Sequence, residues 1–194
     1  MAYQIIKLGA LLEMENGENC FPSMVAKFSC PLDQDIEDFL KIKAVPFEKQ
    51  DISKTSLIYA DYRGQPILVG YYALAVKEWV IRKGVSKSVK KEITGYRDKD
   101  SSPIYLIGQL SKNYYDGINE QHLIAGDTLL GFAFKDLKEA SALVGGVRAV
   151  MVECQNNPKL CSFYEAYGFK RCGGDPTANG LLQYIRRMND IEIK

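Results

Sequence analysis

Apolar residues crowd positions 4 to 12, Q-I-I-K-L-G-A-L-L, and give way to Asn, Gly and Pro between Asn16 and Pro22. That pattern predicts a first strand over 4–12 and a loop over 16–22. Pro31 and Asp33 then open a helix in which Ile36, Phe39, Leu40 and Ile42 recur at spacings that share one face, and Pro46 ends it. From Ser56 the period shortens: Leu57, Ile58 and Tyr59 precede Tyr62-Arg63-Gly64-Gln65 and the run from Ile67 to Val76 follows, which predicts a β-hairpin. Between 82 and 102 the pattern dissolves. Arg82, Lys83, Lys87, Lys90, Lys91, Arg97 and Lys99 alternate there with few apolar anchors, and a mobile or weakly helical, solvated excursion is expected. Ile104 to Leu110 predicts a buried strand. After a polar loop, Leu129, Leu130, Ala133, Phe134, Leu137 and Ala140 mark a long helix that Gly145-Gly146 closes. Val147 to Cys154 is strand-like, Pro158 suits the first turn of a further helix, Gly168 ends that helix, and a last hairpin finishes near Leu181 to Arg187.

Composition narrows the class. A chain of 194 residues can bury a sizeable core as one α/β domain without staples. Lys and Arg total 25 against 24 acidic residues, a net charge of +1, so nucleic acid would have to be met by a local patch rather than by the whole surface. The five cysteines, Cys20, Cys30, Cys154, Cys161 and Cys172, include no CxxC pair, and no secretory run opens the chain, so they read as reduced thiols of a cytoplasmic protein. One histidine and no paired ligand spacing leave no metal site to expect. The apolar runs stop well short of the roughly 20 residues of a membrane span.

The segment G-V-R-A-V-M-V-E-C-Q-N-N-P-K-L-C-S-F-Y-E-A-Y-G-F (Gly146 to Phe169) resembles the acetyl-CoA-binding half of GNAT-superfamily N-acetyltransferases. Asn157, Phe163, Tyr164, Gly168 and Phe169 fall on the family's positions, with Leu160 where a small Ala is commoner. Q-H-L-I-A-G (Gln121 to Gly126) resembles the family's pyrophosphate loop, with Ile124 in place of the first glycine and a longer lead-in through Asn113, Tyr114, Tyr115, Asp116 and Gly117. S-K-T-S-L-I-Y-A-D (Ser53 to Asp61), V-G-Y-Y-A-L-A (Val69 to Ala75) and G-Q-L (Gly108 to Leu110) are similar to the acetyltransferase toxins of bacterial toxin-antitoxin pairs. The resemblance covers about residues 50 to 188. It implies an α/β (α+β) GNAT fold, with a mixed, largely antiparallel central sheet splayed between its fourth and fifth strands and flanked by helices. It also implies one domain over 1–194, with a substrate-side part at 1–45 and an acetyl-CoA-binding core at 103–170.

On that resemblance, acetyl-CoA is the cofactor. Gln121, His122, Leu123, Ile124, Ala125, Gly126 and Asp127 hold its pyrophosphate through backbone N–H groups at a helix N-terminus, where no Lys or Arg is required. Gln109, Leu110, Ser111 and Lys112 pair with the pantetheine, Asn157 and Phe163 complete the cofactor contacts, and a backbone N–H, that of Leu110 or of Ser111, serves catalysis by facing the thioester carbonyl. Tyr164 is the catalytic acid, since a phenol can protonate the departing thiolate. The general base is open between Glu153 and a bound water, and an acceptor amine of low pKa suits a site without a strong base. The toxin resemblance implies the amino group of an aminoacyl-tRNA as acceptor, a small DNA-binding antitoxin as partner, and a monomer or homodimer. The alternatives are a small-molecule or protein N-acetyltransferase without RNA, and a catalytically silent GNAT-fold binding module.

Overall fold

The structure is a computed structural model and describes residues 2–81, 84–173 and 175–192. Strands β1 (Tyr3–Lys7), β2 (Lys54–Tyr62), β3 (Gln65–Val80), β4 (Ser101–Lys112), β5 (Ala149–Cys154), β6 (Lys170–Arg171) and β7 (Leu182–Arg187) hydrogen-bond in the order β1-β2-β3-β4-β5-β7-β6. The β1–β2, β2–β3, β5–β7 and β6–β7 ladders are antiparallel and β4–β5 is parallel. Helices α1 (Leu8–Leu12), α2 (Gly17–Val25), α3 (Gln34–Asp38), α4 (Ala44–Lys49), α5 (Lys87–Thr94), α6 (Gly126–Leu143) and α7 (Pro158–Ala166) complete the mixed α+β architecture. The chain forms two compact units, Met1–Ala75 with Gln109–Ala133 and Val76–Gly108 with Phe134–Lys194.

In the first unit, Leu8, Phe21, Val25, Phe28, Leu40, Leu57 and Tyr71 form one buried cluster. Two expectations are corrected in this part of the chain. The strand predicted over 4–12 stops at Lys7, and Leu8–Leu12 is helical. The predicted loop over 16–22 is helix α2 despite Pro22 within it. Phe21 and Val25, four residues apart, are both buried and contribute about 1.5–3 kcal/mol each, which offsets the roughly 3 kcal/mol cost of an interior proline. Gly17 is forced by the α1–α2 junction: a Cβ there would lie 1.8 Å from the Leu11 carbonyl oxygen.

The helix predicted to end at Pro46 continues to Lys49. A π-helical turn at Phe39–Lys43 separates α3 from α4 and puts Pro46 in the first turn of a restarted helix, where its missing N–H costs nothing. Ile42 is 67% exposed, because it falls six residues after Ile36 and therefore off the stripe that Phe39 and Leu40 share with it. Asp33 caps α3 as expected, accepting from the Asp35 N–H at 3.0 Å.

The β2–β3 hairpin turns at Arg63-Gly64, both with positive φ, as a two-residue primed turn requires. Further along β3, Gly70 lies so close to β4 that a Cβ would stand 2.7 Å from the Ser111 carbonyl oxygen and 3.3 Å from the Lys112 Cα. Those atoms are backbone and cannot swing aside. We expect Gly70→Ala to cost about 1–3 kcal/mol, read as a lower midpoint in urea unfolding; a midpoint equal to wild type would show that the strands part freely here.

In the second unit, Trp79, Ile81, Ile93, Ile104, Met151 and Ile185 form the buried cluster. Within the segment expected to be mobile or weakly helical, Lys87–Thr94 forms helix α5. Ser86 caps it by accepting from the Val89 N–H at 3.2 Å, Gly95 ends it in the left-handed conformation, and Ile93 is buried in the cluster while Val89 packs against it. Two apolar anchors four residues apart suffice for so short a helix once Trp79 offers a surface. Lys90 pairs with Asp100 at 3.4 Å, and Lys99 lies 4.7 Å from the Tyr96 ring centre. Arg82 and Lys83 of that basic run lie outside the described residues. The long helix, its glycine end and the Pro158 helix start stand where the sequence places them.

Candidate functional site

The parallel β4–β5 ladder pairs Tyr105–Ile107 with Val150–Val152 and ends there. β4 itself runs five residues further, Gly108 to Lys112, so its last residues, including Gln109, Leu110, Ser111 and Lys112, continue beyond the ladder. The Ser111 side chain does not face outward. It is buried, and its hydroxyl donates to the Lys112 carbonyl at 2.9 Å and lies 3.5 Å from the Cys30 Sγ. The Gln109 side-chain oxygen lies 3.4 Å from the Tyr71 hydroxyl, which donates to the Ile36 carbonyl at 2.6 Å. Burial raises the Tyr71 phenol far above its usual pKa, so the proton stays on.

Two 3-10 turns, Tyr115–Gly117 and Asn119–Gln121, carry the chain from β4 to the loop. The N–H of Gln121 donates to the Ile118 carbonyl and that of His122 to the Asn119 carbonyl. These two amides are therefore committed, and the run of N–H groups expected from Gln121 onward begins in practice at Leu123. Among the described residues the amides of Leu123 to Asp127 make no backbone hydrogen bond. The Leu129 N–H reaches the Ala125 carbonyl and starts α6 at Gly126.

Leu123 and Ile124 are buried at 4% and 6% exposure, so Ile124, in the place of the family's first glycine, anchors the loop in the core. The Leu123 carbonyl accepts from the Tyr3 hydroxyl at 2.8 Å, and the Gln121 side-chain oxygen accepts from Tyr62 at 2.9 Å. Tyr3 has a raised pKa from burial and from the Asp127 charge. Asp127 folds its carboxylate onto the Thr128 N–H at 2.6 Å. The His122 side chain is exposed, its backbone left-handed at φ 50.

In the second unit, Asn157 caps α7, its side-chain oxygen accepting from the Lys159 N–H at 2.9 Å, with Pro158 next to it. The cap accounts for an Asn-Pro pair at a helix start by itself. Six residues on, Phe163 is half-buried and Tyr164 is buried at 8% exposure. The Tyr164 ring packs edge-on to Phe163 at 5.2 Å and Phe169 at 5.6 Å and lies 6.4 Å from Tyr184. Burial raises the Tyr164 phenol well above its usual pKa, and the Cys154 thiol adds to the shift. Burial likewise pushes Cys154 up to about 11, with Cys161 beside it. Glu153 is engaged on both oxygens: Lys77 Nζ lies 2.8 Å from one and Gln183 donates to the other at 2.8 Å. Among the described residues no group of His, Cys, Asp and Glu could hold a metal, and no helix is long and apolar enough to cross a membrane.

One residue of the lead-in from β4 to the Gln121–Gly126 loop organises the first unit. Asn113, 1% exposed, donates to the carbonyls of Lys27 (2.6 Å) and Leu68 (2.8 Å) and accepts from the N–H groups of Ser29 (3.0 Å) and Tyr115 (2.9 Å). Its partners at Lys27, Ser29 and Leu68 lie 86, 84 and 45 residues away, and no local pattern marks it.

This strand and helix order, with a parallel β4–β5 pair that ends early and a loop feeding α6, is the GNAT fold. Solved structures that share it include a tyrosine-to-phenylalanine mutant of KacT, at 20% identity and TM-score 0.68 over 97% of this chain and 96% of that one. AtaT complexed with acetyl-methionyl-tRNAfMet matches at 21% identity and TM-score 0.68 over 97% and 96%. AtaTR bound with AcCoA matches at 20% identity and TM-score 0.66 over 96% and 94%. At these identities the likeness is one of fold. No family model matches the sequence, and no curated protein does.

Proposed function

We propose that the chain is an acetyl-CoA-dependent N-acetyltransferase that acetylates the amino group of an aminoacyl-tRNA, as a toxin held in check by a small DNA-binding antitoxin. The observation that carries the reading is the junction from Leu123 into α6: a run of amides without backbone partners that opens a helix of 18 residues, in a fold shared with AtaT, which was solved with acetyl-methionyl-tRNAfMet. Amides so placed hold a pyrophosphate by hydrogen bonding and by the helix dipole. Acetyl-CoA, when bound, supplies the activated acyl group. The β4 backbone from Gln109 to Lys112 would pair with its pantetheine, and the Leu110 N–H would stabilise the negative charge that builds on the carbonyl oxygen as the amine attacks. Tyr164, kept protonated by burial, donates to the departing sulfur.

The acceptor follows from what the base is not. Glu153 holds Lys77 and Gln183, so neither oxygen is idle, and His122 is exposed on the phosphate loop. An α-amino group with a pKa near 8 is partly neutral without help, whereas a lysine near 10.4 is not. That favours an aminoacyl or N-terminal amine. Mass spectrometry of tRNA, protein and metabolite pools with and without expression tests the assignment, and acetylated aminoacyl-tRNA is expected to accumulate. Acetylation confined to proteins or metabolites would overturn it.

Acetyl-CoA should also stabilise the protein, because the loop that receives it exists only in the folded chain. At a hundredfold excess over Kd the gain is about 2.7 kcal/mol, visible as a rise in melting temperature. No rise, and no heat of binding at millimolar acetyl-CoA, would remove the cofactor and leave a silent binding module.

A further inference from the structure

Two cysteines meet in the second unit where α7 crosses the end of β5. Cys154 ends β5 opposite Leu182, and Val152, two residues before it, stands opposite Tyr184. Residues two apart on a strand share a face, so Cys154 and Tyr184 look out from the same side of the sheet. α7 covers that side. Cys161 and Glu165, one helical turn apart on α7, both reach Tyr184, whose hydroxyl donates to the Glu165 carboxylate at 3.1 Å and hydrogen-bonds with the Cys161 thiol. That same thiol hydrogen-bonds with the thiol of Cys154. Both cysteines are reduced.

The two sulfurs differ in access. Cys161 is half-buried and Cys154 is buried. Burial keeps the Cys154 thiol protonated, its pKa pushed up to about 11, and a buried, protonated thiol is inert toward oxidants in solvent. Cys161 is therefore the sulfur that such an oxidant meets, with Cys154 held against it as the resolving partner. An accessible thiol poised beside a second one is the arrangement of redox-sensing cysteines. No third thiol competes for the position: Cys20 and Cys30 lie in the first unit, and Cys172 belongs to the cluster around Trp79.

We propose that Cys154 and Cys161 are a redox modification site: hydrogen peroxide joins them in a reversible disulfide that displaces the start of α7 and slows the reaction served by Tyr164. The Cys161 sulfur attacks one peroxide oxygen. An S–O bond forms, the O–O bond breaks, and the hydroxide released leaves as water with the thiol proton. The Cys154 sulfur then attacks the sulfur of the sulfenic acid so formed. The S–S bond forms, the S–O bond breaks, and a second hydroxide leaves as water with the Cys154 proton. The two sulfurs together give up two electrons and the peroxide takes them; a dithiol reductant returns them. An S–S bond is about 2.05 Å long, shorter than a hydrogen-bonded contact between thiols, so the first turn of α7 has to move toward β5. Tyr164 stands three residues beyond Cys161 on that helix, and a misplacement of about 1 Å can cost roughly 10²-fold in rate. The effect on rate rests on the proposed function; the disulfide does not.

The test treats the reduced full chain with hydrogen peroxide, blocks the remaining thiols and maps the tryptic peptides by mass spectrometry. Lys159 lies between the two cysteines, so cleavage after Arg148, Lys159 and Lys170 puts them on separate peptides, 149–159 and 160–170, which only a disulfide holds together. The linked pair is expected in wild type, lost on treatment with dithiothreitol, and absent from Cys154→Ser and Cys161→Ser. Acetyl transfer by wild type is expected to fall about tenfold or more on oxidation and to return on reduction, while Cys161→Ser, shown to be folded by its melting curve, keeps its rate under peroxide. Unlinked peptides, or Cys161 linked instead to Cys20 or Cys172, overturn the site. A linked pair with undiminished turnover overturns its effect on α7. Reduced wild type that binds acetyl-CoA but transfers nothing to any amine rejects the acetyltransferase and with it the effect on rate, and the mapped disulfide then stands by itself.

Discussion

Tyr164→Phe should lower kcat for acetyl transfer by roughly 10²- to 10⁴-fold, the usual worth of a positioned general acid, while leaving acetyl-CoA affinity and the fold nearly unchanged. The substitution deletes one oxygen and keeps the ring, whose contacts with Phe163 and Phe169 account for its packing. Burial keeps the phenol protonated far above neutral pH, so the proton is present whenever sulfur departs. A thiolate is a tolerable leaving group even unprotonated, and a residual rate is therefore expected. Should Tyr164 only pack α7 against its sheet, the variant would turn over within twofold of wild type. Steady-state rates with a charged tRNA as acceptor, read beside a melting curve from the same preparation, distinguish the two outcomes. An equal fall in kcat and kcat/KM is the signature of an interaction made in the transition state.

Asn113→Ala should be the most damaging single change to stability in the first unit, at about 3 kcal/mol. The variant deletes four hydrogen bonds. Of the groups released, the Leu68 carbonyl is bonded in a buried position and carries the full penalty of an unsatisfied acceptor, about 1–3 kcal/mol. The others lie nearer the surface and recover part of their loss from water. For a chain of this size that corresponds to a fall in melting temperature of roughly 6–12 °C. Asn113→Asp should not rescue it, because a carboxylate keeps the acceptors but sets a negative charge against two carbonyl oxygens. A loss under 1 kcal/mol for the alanine variant would mean that water replaces the side chain at every bond.

What the chain declares locally and what it leaves to packing divide along physical lines. The hairpin at Arg63-Gly64, the cap and proline at Asn157-Pro158 and the apolar stripe of α6 are written in neighbouring residues, because turns, caps and amphipathic faces are decided within one or two turns of chain. The C-terminal half of the fold was legible for that reason. The N-terminal part was not: Pro22 and Pro46 signal breaks, yet the burial of Phe21 and Val25 and a π-helical turn before α4 outweigh them, and both terms exist only once the core has formed. At the candidate site, the resemblance implies a pyrophosphate loop at Gln121–Gly126. Only the tertiary structure commits the Gln121 and His122 amides to 3-10 turns, sinks Ile124 into the core and occupies Glu153 with Lys77 and Gln183. Asn113 marks the limit most clearly. Its side chain matches three strangers in sequence, Lys27, Ser29 and Leu68, and a hydrogen bond between distant residues leaves no periodicity behind, so its role is decided by where the chain brings them.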